Sequence, residues 1–189
     1  MDNNPARPLS RAFASTRAVL AEVAPGQLDT PTPCRSWDAR ALINHFVGSA
    51  RWGAAAISGT PSAATDDDYA AGDFLACYDE SIEVALAAFG SPGVLDRTIG
   101  LPFGDFSGAA LLSMVVRDQF THGWDLARAI GHPTDLDPGL AGELLVQARV
   151  EVFDAYRGPE GQAFFGPAAD VPAGAGPADR LAAFLGRAV

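Results

Sequence analysis

His45, Asp118 and His122 have the types and spacing to hold a divalent metal ion. The helix that carries the last two spans about Ser107 to Ile130, and with about 3.6 residues per turn each residue advances ~100° around its axis. Leu111, Val115, Asp118, His122, Leu126 and Ala129 then form one stripe. Leu112, Val116, Phe120, Ala127 and Ile130 form a second apolar stripe, and Arg117, Thr121 and Arg128 are expected on the solvated side. Asp118 and His122 thus point the same way, one turn apart, at the margin of a core-facing arc. A carboxylate there is costly unless it is paired or bound to a cation. From spacing alone two arrangements stay open: a hydrogen-bonded Asp–His pair, and two converging metal ligands completed by His45 from another helix. Two imidazoles and one carboxylate suit zinc, nickel, iron or copper and leave at least one position open, the pattern of a catalytic site.

Other candidates carry less. Asp125 lies near the edge of the same arc and reads either as a partner orienting His122 or as half of an exposed ion pair with Arg128. Arg51, beyond His45, is a candidate basic group for a bound cofactor. Cys34 precedes a helix N-terminus, where a thiol pKa can fall, and reads equally as a small, partly buried residue. His132 lies in a Gly-His-Pro loop and is expected at the surface. Trp37, Trp52 and Trp124 read as packing anchors, and Asp66-Asp67-Asp68 as a solvated run without calcium-loop spacing.

These residues need helices to position them. Apolar periodicity predicts helices over Leu9–Val23, Trp37–Ile57, Tyr69–Phe89, Ser107–Ile130 and Pro138–Tyr156, and a short one over Ala178–Arg187. Ser36 is the expected N-cap of the second, and Gly131 the expected C-cap of the fourth. A loop follows Ser58 to Asp68. Between the third and fourth helices, Val94–Ile99 and Phe103–Phe106 are short extended segments. The stretch from Gly158 to Pro177 is rich in Gly, Pro and Ala and reads as irregular. Long helices with few strands imply an all-α bundle, with residues 1–189 as a single domain.

Composition narrows the partners. The 23 acidic and 13 basic residues give a net charge of −10, a field that repels nucleic acid and anionic lipid. No apolar run is long enough to span a bilayer, and Met1–Leu9 lacks a signal-peptide layout. A cytoplasmic location with two reduced thiols, Cys34 and Cys77, is expected.

The segment Thr32-Pro33-Cys34-Arg35-Ser36-Trp37, followed by Leu42 and His45, resembles the opening of the mycothiol-dependent maleylpyruvate isomerase N-terminal domains, within the DinB-like superfamily. Asp118-Gln119-Phe120-Thr121-His122-Gly123-Trp124-Asp125-Leu126-Ala127-Arg128-Ala129-Ile130-Gly131 resembles the second signature of that family, and Asp179–Arg187 resembles the ending of single-domain members. The resemblance implies a DinB-like four-helix bundle, to which the segments read above add short extra helices and a small extended hairpin. It implies a divalent metal, zinc or nickel, held by His45, Asp118 and His122, and use of mycothiol or a similar thiol. Two departures stand out. Asp118 replaces the glutamate of the isomerase, and 189 residues leave no room for the isomerase's further C-terminal domain. Maleylpyruvate isomerisation itself is therefore not the expected reaction.

The expected function is a thiol-dependent transferase or isomerase acting on a small electrophile through a metal-bound thiolate. A metal with an open position holds a thiol deprotonated near neutral pH, so no protein cysteine is required as nucleophile. The alternatives are a non-catalytic metal-binding or stress accessory module, and oxygen chemistry at a two-histidine, one-carboxylate iron site. A homodimer is the base-rate expectation.

Overall fold

The computed structural model describes residues 4–60, 67–159 and 161–189. Four long helices make up its body: α1 (Arg7–Leu20), α2 (Ala39–Ser58), α3 (Phe74–Phe89) and α4 (Gly108–Ile130). Helix α4 packs against α1 and α2, and α3 closes the ring by packing on both of those. Between α3 and α4 stands an antiparallel hairpin, β1 (Thr98–Leu101) and β2 (Gly104–Ser107), in register Thr98↔Ser107 to Leu101↔Gly104. Helices α5 (Pro138–Glu151) and α6 (Pro177–Phe184) pack on each other; α5 also touches α1, and α6 touches α4. The protein is thus mostly helical, with the small hairpin expected of it. Among the described residues, no helix is long and apolar enough to cross a membrane.

Local chemistry sets most boundaries. Ser107 caps α4 by accepting from the Ala110 amide, and Gly131 ends it in the left-handed conformation at φ 75°, where a side chain would be strained. Helix α2 starts later than expected. Asp38, not Ser36, is its N-cap and accepts from the Ala41 amide, because the chain from Pro31 to Asp38 closes on itself in a β-bridge and delays the first turn. Helix α3 starts at Phe74 with Asp73 as its cap, and Tyr69–Ala71 form a separate 3-10 turn before Gly72. Helix α5 ends at Glu151, and Asp154–Tyr156 are a 3-10 turn. The expected loop after Ser58 lies partly outside the described residues.

The core runs through Phe13, Phe46, Tyr78, Phe89, Phe120 and Trp124, all buried. A polar network crosses it. The Tyr78 hydroxyl donates to Gln119 Oε1 at 2.6 Å, Gln119 Nε2 donates to the Phe46 carbonyl at 3.1 Å and to Ser49 Oγ at 2.8 Å, and Thr16 Oγ1 donates to the Gln119 carbonyl at 2.8 Å. Burial pushes the Tyr78 phenol well above its usual pKa, so it remains a donor. One residue on each of α1, α3 and α4, and two on α2, are locked together beside Asp118. A network with these donors and acceptors matched fixes relative helix position more tightly than apolar packing does.

Two glycines bring α4 close to its neighbours. A Cβ at Gly123 would stand 2.4 Å from Thr16 Oγ1 on α1, and one at Gly53 on α2 would stand 2.9 Å from a Val115 methyl on α4. Alanine gains about 1 kcal/mol over glycine in an open helix. At position 123 that gain is outweighed by separating α1 from α4, so Gly123→Ala should destabilise the protein by ~1–3 kcal/mol. Urea unfolding checks this, and an unchanged or raised midpoint would refute the close contact.

Candidate metal centre

His45 lies on the second turn of α2, and Asp118 and His122 lie on consecutive turns of α4. The packing of these helices brings the three together. His45 Nε2 stands 3.0 Å and 3.1 Å from the Asp118 oxygens, and His122 Nε2 stands 3.5 Å from Asp118 Oδ1. One ligand atom from each residue lies within 4.8 Å of the other two. Ligands at about 2.0–2.2 Å from a tetrahedral zinc stand roughly 3.3–3.6 Å apart, close to these separations. The donor set therefore fits a divalent ion. The three side chains are 24%, 30% and 13% exposed, in the order His45, Asp118, His122, and all line one large cavity, so the cluster has an open side.

The protonation balance suits the same role. Burial alone would lift the Asp118 carboxyl, but the adjacent His45 ring, the His122 ring and the Ser49 hydroxyl together hold it well below the usual carboxylate range. Burial alone would lower His45, but Asp118 outweighs it and raises the imidazolium above its ordinary value.

His122 is held from behind. Its Nδ1 donates to Asp125 Oδ2 at 2.9 Å, which leaves the Nε2 lone pair facing Asp118 and the cavity. Asp125 is fully buried, so it is the partner that orients His122 and not half of an exposed pair with Arg128. Its charge is met by Arg187, whose Nε donates to Oδ1 at 3.2 Å and Nη2 to Oδ2 at 3.0 Å. Gly186, at φ 95° and packed directly on Gly166, makes the turn that swings Arg187 inward. That turn also ends α6 at Phe184, short of the expected Arg187. The Cys34 thiol donates to Asp125 Oδ2 at 3.2 Å, and Cys34, His122 and Asp125 form a second cluster of potential ligands. Arg187 already supplies the positive charge there, so the triad of His45, Asp118 and His122 is the better cation site.

The loop before α2 supplies a wall. The Thr32 hydroxyl donates to the Trp37 carbonyl at 2.7 Å and accepts from the Cys34 amide at 3.1 Å. This pins Trp37 with its ring centroid 4.6 Å from that of His45 and 5.2 Å from that of His122. Trp37 is therefore part of the site, whereas Trp124 is the packing anchor the sequence suggests, buried with its indole N–H on Asp179 at 2.8 Å.

Other expectations are corrected. Arg51 is not at the site: it stacks over Tyr69 and reaches Glu80 at 3.6 Å. Arg117 and Thr121 are buried, not solvated, because α5 and the segment after it cover that side of α4. Arg117 pairs there with Glu151 and lies over the Phe165 ring. Arg128 is exposed, as expected. Arg187 could not be found by spacing, since 62 residues separate it from its partner.

A helical bundle with a two-histidine, one-carboxylate cluster opening on a cavity defines the class, and the comparisons give the family. Residues 9–127 match the mycothiol maleylpyruvate isomerase N-terminal domain. The chain belongs to that family, a DinB-like one. The matched span contains His45, Asp118 and His122 but ends before Arg187. Two relatives from Mycobacterium tuberculosis, the uncharacterized protein MT0763 (strain CDC 1551 / Oshkosh) and the uncharacterized protein Rv0738 (strain ATCC 25618 / H37Rv), are each 40% identical over 183 residues, covering 95% of both chains. No solved structure matches the chain significantly.

Burial alone would raise the Asp125 carboxyl, but its bonds to His122 and Arg187 bring it down to about 2 from an ordinary value of 3.8. Its folded pKa is depressed, so the stability it contributes is present above about pH 4 and is lost as pH falls towards 2. Asp125→Asn leaves the Arg187 charge buried without a counter-charge and should cost about 3–5 kcal/mol near neutrality. The stability gap between wild type and variant, measured by urea unfolding of chelator-treated protein, should narrow as pH falls below about 4. A gap independent of pH would show that the charge does not contribute.

Proposed function

We propose that this protein binds one divalent ion, zinc or nickel, through His45, Asp118 and His122, and uses it in a thiol-dependent transferase or isomerase reaction on a small electrophile. Mycothiol, or a similar low-molecular-weight thiol, is the proposed co-substrate. The observation that carries this is the meeting of three ligand atoms in the wall of a cavity of about 1230 Å³. A closed structural site needs no cavity, and pockets for a single drug-sized ligand measure roughly 300–1,000 Å³, so a cavity above that range has room for a thiol and a small second molecule.

When bound, the ion would supply a Lewis acid that keeps a thiol sulfur deprotonated near neutral pH. The chain's own residues prepare the site for it. Asp125 directs the His122 lone pair, Asp118 contributes the negative charge, and Trp37 covers both imidazoles and limits access of water. The family name supports the choice of mycothiol, and the two-imidazole, one-carboxylate donor set supports zinc or nickel. Residues 1–189 are proposed to act as one unit in the cytoplasm.

Untagged protein should carry about one equivalent of zinc or nickel by elemental mass spectrometry. His45→Ala and His122→Ala should each lose it, while His132→Ala should keep it. Metal affinity should rise with pH and level off only above the ordinary imidazole value of ~6.5, because Asp118 raises His45 and a proton competes for its ring. No bound metal in the wild type after incubation with divalent ions would overturn the assignment. Metal without turnover of a thiol against any electrophile would favour the accessory-module alternative.

A further inference from the structure

The cavity is chemically divided. Around the ligand triad its wall combines polar groups, among them Ser36, Ser49, Asp118 and Arg187, with the Trp37 ring. At the other end it is aromatic. Phe103 from the hairpin turn lies 5.4 Å from Phe106 and 6.1 Å from Phe164, and Phe164 lies 6.3 Å from Tyr156, between ring centroids. These rings are not packed away: Phe103 is 51% exposed, Phe164 71% and Tyr156 44%. Of the eight exposed large hydrophobic side chains among the described residues, five (Phe103, Val150, Phe153, Tyr156 and Phe164) line this one cavity. Isolated exposed apolar residues are ordinary, but a gathered set marks a binding surface.

Charge identifies the ligand. Two arginines line the cavity among the described residues, and both are committed. Arg117 pairs with Glu151, and Arg187 grips both oxygens of Asp125. Turning Arg187 to an incoming carboxylate would leave the buried Asp125 unpaired, and Arg117, itself buried, is held by Glu151 and by the Phe165 ring. The aromatic end therefore offers stacking faces and no available counter-charge.

We infer that the aromatic end of the cavity, built on Phe103, Phe106, Tyr156 and Phe164, binds an uncharged aromatic molecule, and that a carboxylate-bearing acceptor such as maleylpyruvate is disfavoured there. Its identity as the acceptor in thiol transfer rests on the function proposed above; the binding itself does not. The rings touch one another, and the surface that Phe103, Tyr156 and Phe164 leave exposed can take a flat apolar ligand by offset or edge-to-face contact. The hairpin that presents Phe103, and the turn after α5 that presents Tyr156, lie outside the metal-binding helices α2 and α4.

The test uses the full-length protein and N-phenyl-1-naphthylamine, an uncharged aromatic probe whose fluorescence rises in apolar sites. Wild type should bind it saturably. The double variant Phe103→Ala/Phe164→Ala removes two exposed rings, so it should fold normally by thermal melting and keep the wild-type metal content. It should bind the probe about ten-fold more weakly or worse. Methyl cinnamate should displace the probe at least about ten-fold better than cinnamate, the same ring system with a carboxylate. Equal probe affinity in the double variant, or equal displacement by the two cinnamates, would overturn the inference. So would a wild-type dimer that becomes monomeric in the double variant by light scattering, since the rings would then be covered by a second copy. Probe binding by a protein without metal would leave this site standing and remove the metal assignment. Metal binding without probe binding would do the reverse.

Discussion

The desolvated charge on α4 is the constraint around which the site is organised. Asp118 and Asp125 both sit on the packed faces of α4, among buried Leu111, Val115, Phe120 and Leu126, and a lone desolvated carboxylate there is costly. Each therefore draws in partners from other elements. Asp118 takes His45 from α2, together with His122 from its own helix. Asp125 takes Arg187 from the end of the chain and Cys34 from the loop before α2. His122 lies between the two carboxylates: Nδ1 donates to Asp125, and Nε2 turns its lone pair to the side where Asp118 stands 3.5 Å away. The imidazole is thereby fixed in plane and tautomer by groups contributed from distant parts of the sequence.

Holding that arrangement requires the helices to keep their mutual positions to within a fraction of an ångström, and the core supplies this in two ways. The Gln119 network beside Asp118 ties the four long helices by directional bonds. The close approaches at Gly53 and Gly123 set the distance from α4 to α2 and α1. Gly123 follows His122 directly, so the contact that brings α1 up to α4 also fixes the backbone of a proposed ligand. Packing and site geometry are here one feature.

The long helices and the Asp118–His122 pair were legible in the sequence because they rest on short-range periodicity, whereas His45 joined them through the family resemblance. Asp118 and His122 share a face through one-turn spacing, and His45 stands out as a histidine in the middle of an apolar helix. What was not legible depends on which helix faces which. Arg117 looked solvated because three residues of like polarity mark that side of α4, but Glu151 and Phe165 come from elements whose docking no local pattern encodes. Arg187 and Trp37 escaped for the same reason. Ser36 and Asp38 are equally good caps by type, and only the closure of the chain from Pro31 to Asp38 decides between them.

The division of the cavity follows from the same folding logic. Its triad-bearing end is made by α2 and α4 together with the loop before α2 and the chain after α6, and there Asp118 and Asp125 each have a partner. Its aromatic end is made by a hairpin and by the chain after α5, segments that add area without constraining the triad. Rings can be exchanged at those positions without disturbing the buried charge of α4, whereas a new cation near the triad would compete with Arg187 for Asp125 or with His45 for Asp118. The fold thus separates a part whose electrostatics are closed from a part whose apolar lining can change. On such a scaffold the apolar lining can be exchanged while the proposed ligands His45, Asp118 and His122 stay in place.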